Sequence, residues 1–574
     1  MHFSRWLPAV AAVLFGLGTL LAADDTKKPE TPADAKIAAR KAKMEARLKA
    51  EAEAKAKEEA EAKAKAEAEA KAKEAAKARP PAALNRDTLF LTQTIDREIT
   101  GRLAAEKLPA SPKADDAEFL RRIYLDLTGV IPPADTAKEF LDNADPKKRE
   151  ALIDELLMSP AFGKHMADVW AGLLFQRVTD NRAIKFDPLK EWLEERFNAG
   201  RGWGEVVGEL LTATGTQEDN GAATYFLAQL SADKLVDSTS KLFLGIKLEC
   251  TQCHNHPFTG WKQTDYWGMA AFFMKVRIQG NTKNGNNGPP GVSEGGKGRQ
   301  RNLPESAKML PPKFFHGEQP KVTDADPLRP VLAKWLTSPD NKYFGRAFAN
   351  RVWGQLFGSG IVNPIDDMHE ERPVSHPELL AELAKQFAAR KFDVKYLFRA
   401  ICNSEAYQRT SRPVPGNEKD ATLFSHMNLK VLTPGQLYDS LVAVLGEPGR
   451  GAGKGMGGGN GKRGPQTPRD QFVNFFAGDE NAKATDYEAG IPQALRLMNS
   501  RETRLAPQAA REIAKGLSKD AAIEKLYLTT LARRPSAAEA KRMTEYVTHS
   551  ASHDAGYGDV LWALLNSSEF AMNR

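Results

Sequence analysis

The chain has 574 residues, 41% of them hydrophobic and 27% charged, and carries a formal net charge of +7. That length predicts two or three domains, with enough apolar content to build real cores. The positive excess does not predict nucleic-acid binding: residues 26–79 alone hold sixteen Lys and Arg against eleven Asp and Glu, and no basic, aromatic-laced face stands out elsewhere.

At the start, His2 and Arg5 precede an apolar run from Trp6 to Leu21, then Ala22-Ala23, then the polar Asp24-Asp25. This order predicts a secretory signal peptide over residues 1–23 and an exported protein, periplasmic or extracellular. Cleavage after Ala23 leaves Leu21 three positions back, where a small residue is usual. The alternative is therefore an uncleaved N-terminal membrane tether, although the run is shorter than the ~20 residues of a spanning helix. No later segment reads as membrane-spanning.

Residues 24–83 form a low-complexity Ala/Glu/Lys linker. Glu51 and Lys55, Glu59 and Lys63, and Glu67 and Lys71 are i,i+4 pairs in the favourable order, and alanine is the best helix former. There is no apolar a/d seam for a coiled coil. The two readings are a solvated single helix ending at Pro80-Pro81, serving as a spacer, and a disordered tail.

The body, from Leu84 onward, reads as helix after helix, so the fold class is mainly α. Asp145-Pro146 predicts a helix start, with an acceptor at N-cap and proline at N1. Leu152, Ile153, Leu156 and Leu157 then recur at helical spacing. Thr433-Pro434 predicts another start. Ser375-His376-Pro377-Glu378 and Ser536-Ala537-Ala538-Glu539 read as capping boxes. Gly-rich stretches at 280–325 and 446–464 predict a linker between two helical domains, 84–279 and 326–574, and a long loop inside the second. Neither stretch matches a P-loop.

The chain has three cysteines, and two of them lie in Cys250-Thr-Gln-Cys253-His254. C-x-x-C-H is the attachment pattern of c-type haem: two thiols add to the porphyrin vinyl groups, and the adjacent imidazole reaches the iron. On this reading Cys250 and Cys253 carry haem c and His254 is its axial ligand. Met269 and Met274, downstream in an aromatic segment, read as core filling rather than as a sixth ligand. A zinc-type site using Cys250, Cys253, His254 and His256 is a second reading. A disulfide or redox pair with no cofactor is a third. Cys402 follows Tyr396-Leu397-Phe398 and reads as a small buried hydrophobe. Asp366-Asp367-Met368-His369-Glu370-Glu371, with His376 beyond, reads as a polar loop before a capped helix, with a metal or catalytic site as the lesser reading. Arg351 reads as a helix-joining partner of a carboxylate.

Several of these motifs occur together in a recognisable set. Glu118 to Pro133 with Ser159-Pro160-Ala161-Phe162-Gly163 and Trp170, Phe243-Leu244-Gly245, and Cys250 to Phe258 with Trp261 and Asp265-Tyr266-Trp267 resemble one domain. Asn350-Arg351-Val352-Trp353, Ser375 to Leu380, Ser404 to Gln408 and Ala563 to Phe570 resemble another. The pair resembles domains of unknown function 1549 and 1553 of secreted, cytochrome-associated planctomycete proteins. The resemblance implies an exported, mostly helical two-domain protein without an established activity. Two expectations follow: an exported haem protein working with a redox partner, or an envelope component that is structural, binding or a polysaccharide-related hydrolase, in which the motif is a metal site or disulfide.

Overall fold

The structure, a computed structural model, describes residues 81–175, 184–280, 289–295, 310–323, 325–446, 467–476 and 503–574. The expected signal peptide at 1–23, nearly all of the Ala/Glu/Lys linker and most of the 446–464 stretch lie outside the described residues. The fold is mainly helical, as expected, with two small antiparallel sheets among the described residues. Pro81 opens the first described helix, Pro81–Ala105.

The helix Asp116–Thr128 shows how the sequence organises the body. Asp115 caps it by accepting the Glu118 N–H at 2.8 Å, and Gly129 ends it at φ 74°, a left-handed turn that suits glycine. Phe119, Leu120, Ile123 and Leu127 are buried in the main core. Arg121, Arg122 and Asp126 are buried too, and they reach residues far along the chain. Arg122 donates to the carbonyls of Tyr407 (2.8 Å), Arg409 (2.9 Å) and Arg574 (3.0 Å). Asp126 accepts from Lys430 (2.6 Å), Asn573 (2.7 Å) and Tyr407 (2.9 Å). A buried carboxylate persists only when its lone pairs are met in this way.

The main core runs without a break from Leu91 to Tyr407 and beyond, across the 280–325 stretch. At its centre Trp170 stacks on Phe348 (5.7 Å, 5°) and packs against Trp203 (4.2 Å). A second core, between Leu432 and Phe570, takes in Leu125 and Ile131. Inside the Gly-rich stretch, Gly291–Glu294 is the central strand of a three-stranded sheet, flanked by Gly215–Thr216 and Val276–Gln279. Glu294 then pairs with the buried Arg329 at 3.0 Å.

Two helix starts differ from expectation. Asp145 caps a turn by accepting Lys147 N–H at 2.8 Å, and the helix begins at Lys148. The helix Pro377–Ala389 has His376 at its N-cap with no side-chain cap, because the Ser375 hydroxyl donates to Ile361 O (3.1 Å) instead. The Ser375/Glu378 capping box therefore does not form. Thr433 with Gln436 and Ser536 with Glu539 do form capping boxes. Cys402 is fully buried, and burial pushes its thiol well up.

Candidate functional site

The C-x-x-C-H unit begins in a single 3₁₀ turn, Glu249–Thr251. Leu248 and Thr251 are fully buried, and the Thr251 hydroxyl donates to Leu248 O at 2.6 Å. With those two pinned inward, Cys250 points out. Cys253 follows in the turn just beyond it. Both thiols are exposed and unpaired.

The helix Gln263–Ala270 holds the motif's backbone. Gln263 Nε2 donates to the carbonyls of Gln252 and Cys253, each at 3.1 Å, and Trp267 Nε1 donates to Gln252 O at 3.1 Å. Asn255 Oδ1 accepts the Gln263 N–H at 3.0 Å. The helix is anchored in turn by Tyr266, whose hydroxyl donates to Asp237 at 3.0 Å. Burial raises Asp237 to about 6 and pushes the Tyr266 phenol up, helped there by the Asp237 charge. Met269 is fully buried and Met274 packs against the core, so both act as core filling, as expected.

The two motif imidazoles are held in opposite senses. His254 Nδ1 lies 2.8 Å from the Asn255 carbonyl. A carbonyl only accepts, so this nitrogen carries the proton and Nε2 keeps its lone pair. The His256 Nδ1 instead accepts the N–H groups of Thr259 (3.1 Å) and Phe258 (3.3 Å). Its proton is therefore on Nε2, and its role is to pin the turn that follows. Burial, then the neighbouring His369, lowers the His256 pKa. Phe258, at the tip of that turn, is 77% exposed.

His369 comes from the Asp366–Glu371 loop, expected as a polar loop before a capped helix. Its ring centroid is 6.0 Å from His256 and 6.1 Å from Trp261. Its Nδ1 accepts the Glu371 N–H at 3.2 Å, and its Nε2 faces Asp367 at 3.9 Å. The loop is docked by Met368 N–H donating to Gly245 O (2.8 Å), by Arg351 pairing with Asp366, and by Arg372 pairing with Asp367. Gly245, at φ 68°, has the Met368 methyl where a Cβ would stand. His376 is not part of this group. It is buried beside Phe424 and lowered to about 4 by burial. Among the described residues, no three His, Cys, Asp or Glu side chains converge on one ion position.

The donor set suits haem attachment: two exposed thiols, followed by an imidazole whose Nδ1 is fixed by a carbonyl and whose Nε2 is free. Metal-ligating histidines ordinarily donate their other N–H in this manner. No spacing signal could have revealed the approach of His369, which lies far from the motif in sequence.

Residues 94–278 match the family model PSCyt2, protein of unknown function (DUF1549), and residues 328–471 match PSD1, protein of unknown function (DUF1553). The thiols, His254 and His256 fall in the first match, and Asp367 and His369 in the second. No curated protein and no solved structure matches the chain.

Proposed function

We start from the chain's membership of the family that pairs DUF1549 with DUF1553 in N-to-C order, and we propose that it is an exported cell-envelope protein carrying c-type haem. Cys250 and Cys253 are the thioether sites, His254 is the axial ligand, and the role is electron transfer or related redox chemistry. The observation that carries this reading is the His254 tautomer, with Nδ1–H given to the Asn255 carbonyl at 2.8 Å and Nε2 left free beside two exposed thiols.

When bound, haem supplies a one-electron couple tuned by its axial ligand and surroundings. The chain's own residues do the rest. Gln263 and Trp267 hold the carbonyls of the motif, so the thiols keep their orientation. Asn255 fixes the ring of His254 through its carbonyl. His256 is better suited to pinning the turn than to ligation, because its Nδ1 lone pair is already spent on two backbone donors. Phe258 offers exposed apolar surface beside His256.

The test is expression of the full chain with its N-terminal segment in a host with c-type cytochrome maturation. The expected result is haem that remains on the chain after denaturation and acid extraction, one per chain. Absence of covalent haem in protein from its native host would overturn the reading. Metal analysis and thiol counting on the same sample then separate a zinc site from a disulfide in an envelope binding protein or hydrolase.

A further inference from the structure

Away from the C-x-x-C-H unit, a cavity of about 300 Å³ is lined by Arg121, Arg412, Arg533 and Arg574, with Asp115, Glu118 and Glu539 among the other walls. Its acids are already engaged. Glu118 accepts from Arg122 (2.7 Å), Thr410 (2.7 Å) and the Ser411 N–H (2.6 Å). Glu539 takes both outer nitrogens of Arg533 at 2.8 Å, and Asp115 caps the Glu118 N–H.

The arginines are not spent to the same degree. Arg121 is 1% exposed, and its described partners are three carbonyls, of Thr530 (2.9 Å), Phe570 (2.7 Å) and Met572 (3.4 Å), with no carboxylate among them. A guanidinium has five N–H donors, so two remain. Arg574 pairs with Glu569, but its Nε is buried without a partner. Arg412 is exposed and forms no ion pair among the described residues. Burial, and then the nearby Arg574, push Arg121 down to about 9.

We propose that this cavity binds a tetrahedral oxyanion, phosphate or sulfate, free or as a monoester. The unspent donors come from three separate segments, at Arg121, Arg412 and Arg574. All three side chains line the one cavity, and several separate donors suit an anion with several acceptor oxygens. Charge-assisted guanidinium–oxyanion bonds are among the stronger polar contacts. The site is independent of the haem reading, because none of its lining residues belongs to the motif or its supporting helix.

The experiment is calorimetric titration of the full chain with inorganic sulfate and inorganic phosphate, then with glucose 6-sulfate and glucose 6-phosphate, at ionic strength held constant with chloride. Saturable one-to-one binding is expected, with a raised unfolding midpoint. Arg412→Ala, at an exposed and unpaired position, should fold like the parent and weaken binding by about tenfold or more. Arg412→Lys should recover part of the loss. Binding of the free ions alone assigns an inorganic anion, and binding of all four assigns a monoester pocket. If a carboxylate of the chain already fills the cavity, no anion binds and the proposal fails. Binding by Arg412→Ala equal to that of the parent overturns it as well.

Discussion

His256 and His369 stand 6.0 Å apart, ring to ring and tilted by 51°, although one lies in the DUF1549 match and the other in the DUF1553 match. Trp261 completes the group, 5.2 Å from His256 and nearly perpendicular to His369. The motif in the first matched segment therefore has one flank supplied by the second. Residues 366–372, docked on Gly245, place His369 there, alongside the continuous core that both segments share.

His256 should act on the turn it pins. His256→Ala removes the acceptor of the Phe258 and Thr259 N–H groups. Amide exchange at 258 and 259 is expected to speed up, with a stability loss of about 1–2 kcal/mol. His256→Asn should restore protection, because its Oδ1 takes the place of the imidazole acceptor. Equal exchange in the alanine variant and the parent would contradict the assigned tautomer.

The thiols should matter for cofactor attachment and hardly at all for folding. Cys250 and Cys253 are exposed and unpaired, so Cys250→Ser and Cys253→Ser should each leave stability within about 0.5 kcal/mol of the parent. In protein matured with haem, either change should leave a single thioether and shift the reduced α-band of the pyridine haemochrome. His254→Ala should keep the covalent bonds and change the ligand-sensitive Soret band. A stability loss of several kcal/mol in the serine variants would show that the thiols serve the fold.

What could be read from sequence was local. C-x-x-C-H is legible because it is five adjacent residues, and the Thr433 and Ser536 capping boxes form as expected because each closes within one turn. Ser375 misled because its hydroxyl has a distant alternative, Ile361 O, that no local pattern announces. The strand Gly291–Glu294 was hidden because its pairing partners lie on two other segments and its own residues look like loop. The His256–His369 approach and the arginine cavity were hidden for the same reason: each assembles side chains from segments far apart in the chain, and a single sequence carries no distances.

His376 should make the protein acid-sensitive. Burial lowers its pKa from the ordinary 6.5 to about 4. Above pH 6.5 the ring is neutral in both the folded and unfolded states. As pH falls from 6.5 toward 4, the unfolded chain takes up a proton that the folded chain refuses, so stability is lost across that window, by up to about 3 kcal/mol. Urea midpoints measured between pH 7.5 and 4 should fall more steeply for the parent than for His376→Asn. Parallel profiles would assign the acid sensitivity to other groups.

The Arg351–Asp366 pair should be the strongest single tie between the loop carrying His369 and the core. The Arg351 side chain is 11% exposed, its guanidinium lies 5.5 Å over the Trp170 ring, and burial pushes it down to about 10. Asp366→Asn leaves that cation without its carboxylate and should cost about 3 kcal/mol or more. Arg351→Met removes the charge but keeps apolar bulk against Trp170, so it should cost less. Asp366, at 19% exposed, turns more readily to water. The double variant should then be more stable than Asp366→Asn alone, because no buried charge is left unpaired, giving a coupling of about 1–3 kcal/mol. Denaturant unfolding of the four proteins measures this directly. Amide exchange at Met368, whose N–H reaches Gly245 O, reads the loop independently. Strictly additive losses with Met368 still protected in Asp366→Asn would mean that the loop is held by its backbone contact to Gly245, with the ion pair contributing only surface charge.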